Sequence, residues 1–303
     1  MMVLITGAAG FLGSHLVYAL MQRPGYEVIA LDTSQGFNTG RLDRIEGVRR
    51  VIADITQPSL QEAVSDPLDA VVHLAAMAAP RDCDSNPSLA FDVNVNGTNQ
   101  VLQLALRRGA KKVVFSSSAH VYDIPPRYLP TDENHPLYLG TTYTTTKILG
   151  EQLCQLYYNN HGLSYTTLRL FNAYGFVQAL GYFIPDQLLK AQRGRIDLQG
   201  SNVTKDWVWV ADVADAFMRA ITTDFVGAVN IGTGVETNLE TIAQFIARTY
   251  QVELKAIPND VPTRMCADWR RAKSVLRWHP TVSLEEGLGR LLQLPVGTVA
   301  EGT

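Results

Sequence analysis

Short apolar runs at 3–6, 28–32, 51–54, 70–75 and 113–116 are rich in Val, Ile and Leu and read as strands buried on both faces. Between them, stretches near 12–22, 59–64 and 88–108 read as helices, and 142–159 gives another after the fifth strand. A further strand is expected at 165–171. Repeated β-α units imply right-handed crossovers, so the pattern predicts an α/β protein with a doubly wound parallel sheet of the Rossmann type.

After about residue 174 the rhythm changes. A loop is expected at 175–183, a helix at 185–193, a strand at 206–210 and helices at 212–221 and 239–250, with 229–232 returning to the sheet. An extended, Pro-punctuated segment at 257–264 precedes helices near 270–276 and 283–292. No internal repeat or linker separates the halves, so a smaller C-terminal substrate lobe is expected to interleave with the first. Residues 1–175, completed by parts of 207–250, would bind a dinucleotide; 176–206 and 251–296 would form the substrate lobe, and 297–303 a tail.

Composition narrows the classes. A 303-residue chain with 46% hydrophobic residues can bury a substantial core. With 26 Lys and Arg against 29 Asp and Glu, a basic surface for nucleic acid is not indicated. Cys83, Cys154 and Cys266 lack metal-ligand spacing, so no metal is expected, and an odd number without a pairing pattern suits a reducing cytoplasm. No apolar stretch approaches the ~20 residues needed to span a bilayer. The opening MMVLITGAAGFLGSHL lacks the charged leader and cleavage site of a signal peptide.

The sequence Gly7-Ala-Ala-Gly10-Phe11-Leu12-Gly13 follows the first expected strand and opens the first helix. Glycines let the backbone turn tightly and approach a pyrophosphate, while the helix N-terminus supplies N–H donors. Asp32 closes the second strand, where a carboxylate can accept from ribose hydroxyls and repel a 2′-phosphate, favouring NAD over NADP. A turn-forming Asp is the plainer alternative there. Asp54 and Ile55, after the third strand, either flank an adenine or cap the strand end.

Tyr143 and Lys147 form a YxxxK pair whose side chains share a helix face. A phenol titrates near ~10, and a neighbouring ammonium favours phenolate, which can take or return a hydroxyl proton. The run Ser116-Ser-Ser118-Ala119-His120-Val-Tyr122 places hydroxyls at the carboxyl edge of the sheet, where open α/β folds bind ligands.

With these residues, the chain resembles the NAD-dependent epimerase/dehydratase branch of the extended short-chain dehydrogenase/reductases. The likeness extends through His73-Leu-Ala-Ala76, Asn94-Val-Asn-Gly97, Gly150-Glu151, Arg169-Leu-Phe-Asn-Ala-Tyr-Gly175, Lys205-Asp206-Trp207, Val210-Ala-Asp212, Asn230-Ile-Gly-Thr-Gly234 and Ala267-Asp268. The resemblance implies that Gly7, Gly10, Phe11, Leu12 and Gly13 bind the pyrophosphate and Asp32 the adenosine ribose. Asp54 and Ile55 would border the adenine. Leu74, Ala75, Ala76 and Ser116 would line the cofactor, and Asn94 support it. Ser118 would hold the reacting oxygen, Tyr143 act as general base or acid, and Lys147 lower its pKa while holding the nicotinamide ribose. Phe171 and Asn172 would meet nicotinamide and substrate. A homodimer through the Tyr143 helix and the long helix before it is also implied.

Two departures from the family pattern bear on chemistry. Related 4,6-dehydratases carry Asp-Glu at 119 and 120 and related decarboxylases Glu at 120; here Ala119-His120 removes those carboxylates. His120 either acts as acid or base or merely contacts substrate. Lys205 stands where relatives have a phosphate-binding Arg, and lysine meets phosphate as a point charge without a bidentate fork. A second phosphate-binding Arg is replaced at Ile257, and nearby Arg264 either substitutes for it or is simply solvated. The leading expectation is a nucleotide-sugar epimerase acting by transient oxidation and hydride return. The alternatives are a dehydrogenase or keto-sugar reductase with net redox, and, at the far end, a non-catalytic cofactor-binding protein.

Overall fold

The computed structural model describes residues 1–43, 45–122 and 124–293; the expected tail at 297–303 lies outside them. Twelve strands are present among the described residues. The first six are β1 (Met2–Thr6), β2 (Glu27–Asp32), β3 (Arg49–Ile52), β4 (Ala70–His73), β5 (Lys112–Ser118) and β6 (Ser164–Leu170). Then come β7 (Asn172–Tyr174), β8 (Arg195–Gln199), β9 (Thr204–Trp209), β10 (Gly227–Ile231), β11 (Glu236–Asn238) and β12 (Glu253–Ile257).

Seven of them form one parallel sheet in the order β10-β6-β5-β4-β1-β2-β3. β4 and β5 are buried at every position, as expected of a sheet covered on both faces. One face packs on the helices Phe11–Met21 and Val210–Thr222 through Leu16, Leu20, Val213 and Phe217. The other packs on Gly97–Arg107 and Thr142–His161 through Val101, Leu102, Cys154 and Tyr157. From β1 the chain runs outward to β3, then jumps back to β4 on the other side of β1. That reversal leaves a crevice beyond the carboxyl ends of β1 and β4, the place where such sheets take ligands.

The second lobe is built on a three-stranded sheet, β11-β9-β7, and the parallel pair β12-β8. Its core gathers Ile184, Leu188, Ile196, Leu198, Trp207, Trp209, Ile242, Ile246, Leu288 and Leu291. Only Phe171 separates β6 of the large sheet from β7 of the small one.

Several boundaries differ from the periodicity reading. β3 ends at Ile52, because Asp54 turns inward locally: its Oδ1 accepts from Thr56 N and Thr56 Oγ1, both at 2.8 Å. The helix expected over 88–108 is three pieces, with a π-helical turn at Asp92–Asn96 between Pro87–Phe91 and Gly97–Arg107. β8 and β12 have no counterpart among the expected strands.

Candidate active site

The glycine turn is pressed against the loop after β4. Gly7 has φ +67°, and a Cβ there would stand 2.7 Å from the Ala75 nitrogen. A Cβ on Gly13 would lie 2.1 Å from the Gly7 carbonyl oxygen. Both positions therefore require glycine. Gly10 begins the helix Phe11–Met21, which has no side-chain cap and no acidic residue in its first turn. Its leading N–H groups and dipole are left for an anion. Asp32, half-buried at the end of β2, accepts from Ala9 N at 2.9 Å and Thr33 N at 2.8 Å. Burial raises its pKa, opposed by those two N–H groups and by the Arg41 charge.

A second network fixes the loop 74–77. His73 is fully enclosed, with Nδ1 at 2.7 Å from Thr6 Oγ1 and Nε2 at 2.9 Å from Thr98 Oγ1. Thr98 spends its single proton on the Asn94 carbonyl at 2.6 Å, so it must accept from Nε2–H. Nδ1 is then bare and accepts from Thr6, whose oxygen accepts from Ala75 N at 3.3 Å. Asn94, in the π-helical turn, continues the chain: its Oδ1 accepts from Met77 N and its Nδ2 donates to Met77 O and Thr146 Oγ1. Ile55 is buried against Gly97, and Leu74, Ala75 and Ala76 are half-buried along the crevice.

Burial, and secondarily the Lys147 charge, depress His73 to about 3. Above about pH 6.5 both folded and unfolded states are neutral; below it only the unfolded state takes up a proton, so stability falls as pH drops toward about 3. Near pH 4.5 wild type is expected to lose about 2–3 kcal/mol through this residue. Urea titrations of wild type and His73→Gln near pH 7 and pH 4.5 test it; an equal pH effect in both proteins refutes it.

Tyr143, Lys147 and Ser118 converge at the carboxyl end of β5. The helix Thr142–His161 opens with a Thr141–Thr144 capping box, which fixes the turn carrying Tyr143. Tyr143 is 8% exposed and packs with Cys83, Ala90 and Met77. Burial raises its pKa, a hydrogen bond with Ser118 opposes that, and Tyr182 and Cys83 add to the rise. Lys147 Nζ donates to the Ser116 carbonyl at 3.0 Å and lies 6.0 Å from the Tyr143 ring centre. Burial pulls Lys147 down to about 8.

His120 follows Ser118 in a short 3₁₀ turn, donating its N–H to Ser118 Oγ at 3.2 Å. Its ring stands edge-on to Tyr143 at 6.4 Å. Burial and then the Lys205 charge lower its pKa to about 4, so the imidazole is neutral near pH 7. Phe171 is buried between the two sheets, and Asn172 Nδ2 donates to the Asp206 carbonyl at 3.0 Å. Lys205, on β9, has its pKa lowered by burial. Arg264 is elsewhere engaged: Nε and Nη2 bind both oxygens of Glu236 at 2.7 and 2.6 Å. His73, Glu151 and Arg169 enter the sequence reading only as parts of the family pattern and Cys83 only as an unpaired cysteine; their contacts, and Tyr182, are marked by no local spacing.

A crevice at a sheet's switch point is where this fold handles a dinucleotide, and a buried phenol beside an ammonium is suited to moving an alcohol's proton. Fold and site together define an enzyme of the oxidoreductase type. The chain belongs to the NAD dependent epimerase/dehydratase family, whose model matches residues 3–232. It is 32% identical over 314 residues to the UDP-glucose 4-epimerase of Mycolicibacterium smegmatis, covering 97% of this chain and 98% of the relative. It is also 32% identical over 310 residues to UDP-glucuronic acid decarboxylase 6 of Arabidopsis thaliana, covering 95% of this chain and 87% of the relative. The UDP-glucuronic acid 4-epimerase of Bacillus cereus, solved with UDP-glucuronic acid and NAD, superposes with a TM-score of 0.86 at 25% identity, covering 95% of this chain and 97% of that one.

Proposed function

We propose that this protein is an NAD-dependent epimerase of a UDP-linked sugar, with the cofactor retained through turnover. The convergence of Ser118, Tyr143 and Lys147 at the same sheet edge as the glycine turn carries the reading. NAD fits the crevice: the turn has no side chains in the way, and the uncapped helix N-terminus suits a diphosphate. Gly7, Gly10, Phe11, Leu12 and Gly13 would hold the diphosphate and Asp32 the adenosine ribose. Asp54 and Ile55 would border the adenine; Leu74, Ala75, Ala76 and Ser116 would line the middle, with Asn94 bracing them. Bound NAD supplies the acceptor and donor of hydride.

The chain's own residues handle the proton. Ser118 holds the substrate oxygen, Tyr143 takes its proton and returns it, and Lys147 supports the phenolate and the nicotinamide ribose. Phe171 and Asn172 line the substrate side, and Lys205 faces its anionic part. Arg264, bound to Glu236, is a poor candidate for gripping phosphate. The absence of a carboxylate at Ala119-His120 separates the reading from decarboxylation and dehydration. Residues 1–175 with parts of 207–250 would carry the cofactor, and 176–206 with 251–296 the substrate. Exposed Leu89, Phe91 and Leu156 near the Tyr143 helix favour a homodimer through that face. No helix among the described residues is long and apolar enough to cross a membrane, which is compatible with a cytoplasmic enzyme.

Purified protein should carry NAD and interconvert UDP-glucose and UDP-galactose without net NADH. Stoichiometric NADH accumulation would overturn this in favour of net redox chemistry. His120 is read as a neutral substrate contact, since an imidazole lowered to about 4 is uncharged near pH 7 and too weakly basic to take a proton readily. His120→Gln is expected to keep kcat within about tenfold of wild type; a loss of about 10²-fold or more makes it catalytic.

A further inference from the structure

Three consecutive serines of β5 each meet a different residue of the helix Thr142–His161. Ser118 meets Tyr143, the Ser116 carbonyl receives Lys147 Nζ, and the Ser117 hydroxyl donates to Glu151 Oε1 at 2.6 Å. Tyr143, Lys147 and Glu151 are spaced four apart, so one stripe of the helix carries all three contacts. Glu151 alone has no part in the proposed proton transfer. It is 6% exposed, and Arg169 of β6 grips both its oxygens, Nε to Oε1 at 3.0 Å and Nη2 to Oε2 at 2.7 Å. Ser117 and Arg169 are register partners across β5 and β6, so strand pairing and ion pair anchor the helix at one level.

We propose that Glu151 is a positioning residue: it seats the Tyr143–Lys147 stripe on β5 and sustains the charge of Lys147. The inference rests on the reading of Tyr143 as the proton carrier. A buried ion pair is a poor device for stability alone, because apolar residues of similar volume often serve as well or better. Here the pair adjoins an ammonium that needs an anion. Lys147 Nζ has one carbonyl and the ring faces of Phe115, at 5.3 Å, and Tyr143, at 6.0 Å.

The titratable and charged groups around Lys147 are few. Its own helix brings Tyr143, Glu151 and Cys154; the helix Pro80–Ser85 brings Cys83; β4 brings His73; and β6 brings Arg169. Burial keeps both thiols protonated and His73 neutral. Glu151 is the one standing anion of the set. Without it, Lys147 gives up its proton at lower pH, and the Tyr143 phenolate loses its support and forms at higher pH.

The test is the pH profile of kcat of the NAD-bound enzyme on UDP-glucose. Glu151→Gln should narrow the bell from both sides, each limb moving by on the order of one pH unit. Glu151→Asp, which restores the charge, should return the limbs toward wild type. Ser117→Ala keeps the charge and should lower the rate with the limbs in place. If Glu151→Gln fails to fold around the unpaired Arg169, the double variant Glu151→Met/Arg169→Met should narrow the bell by less, because the Arg169 charge leaves with the carboxylate, and an unnarrowed bell there beside an unmoved absorbance overturns the proposal. A substrate-free readout is the phenolate absorbance of the NAD-bound protein that Tyr143→Phe abolishes; Glu151→Gln should move it to higher pH. A profile merely scaled in height, with that absorbance unmoved, assigns Glu151 to the fold alone and overturns the proposal. A shifted absorbance without turnover of UDP-sugars supports it while sinking the epimerase reading.

Discussion

Tyr143→Phe is expected to lower kcat by about 10³-fold while leaving NAD bound and KM within a few-fold of wild type. The ring stays: it is almost wholly buried against Cys83, Ala90 and Met77, and phenylalanine fills the same space. Only the hydroxyl goes, and with it the partner of Ser118. Burial favours the phenol in the ligand-free protein, so the hydroxyl becomes a useful base only when a cationic nicotinamide joins Lys147 beside it. Turnover and NAD content measured on one preparation decide the matter. A loss smaller than tenfold takes Tyr143 out of the proton transfer, and a parallel loss of NAD makes it a binding residue.

Gly13→Ala should be at least as damaging, for a steric reason. The added methyl would lie 2.1 Å from the Gly7 oxygen and 2.7 Å from Ala8 Cα, both main-chain atoms. Gly7 cannot retreat, because it holds a positive φ and is itself wedged against the 74–75 peptide. The helix Phe11–Met21 must move off the turn instead. That overpacking is expected to cost about 3 kcal/mol and to empty the protein of NAD. Gly10→Ala is the milder comparison, its methyl meeting only the Gly7 oxygen at 3.1 Å. Denaturant midpoints and NAD stoichiometry of the two variants check this; a fully loaded, wild-type-stable Gly13→Ala protein refutes it.

The centre of the large sheet was legible because β1, β2 and β4 are short apolar runs, and the reacting residues were legible because they sit in local patterns. Tyr143 and Lys147 are one turn apart, and Ser118 ends a strand. The π-helical turn at Asp92–Asn96 was not, since one extra residue per turn leaves the apolar spacing of 88–108 nearly unchanged. β8 carries the alternation of a half-buried strand in Arg195-Ile196-Asp197-Leu198-Gln199, which a reading keyed to continuous apolar runs passes over. The supporting networks were illegible for another reason. His73 is held by residues 67 and 25 positions away, and Glu151 by one 18 away. The pairing of Arg264 with Glu236, 28 residues back, is likewise marked by no local spacing.

The single residue joining β6 to β7 has a mechanical consequence. The chain passes from the large sheet to the small one through Phe171, returns directly from β9 into the helix Val210–Thr222, and leaves again after β10. The two bodies are thus laced together by several short spans, and a wide swing about one flexible joint is denied to them. Any flexing between the two sheets must bend all of these spans together, Phe171 among them. A substitution that loosens this lacing should therefore be felt in the chemistry before it is felt in the shape.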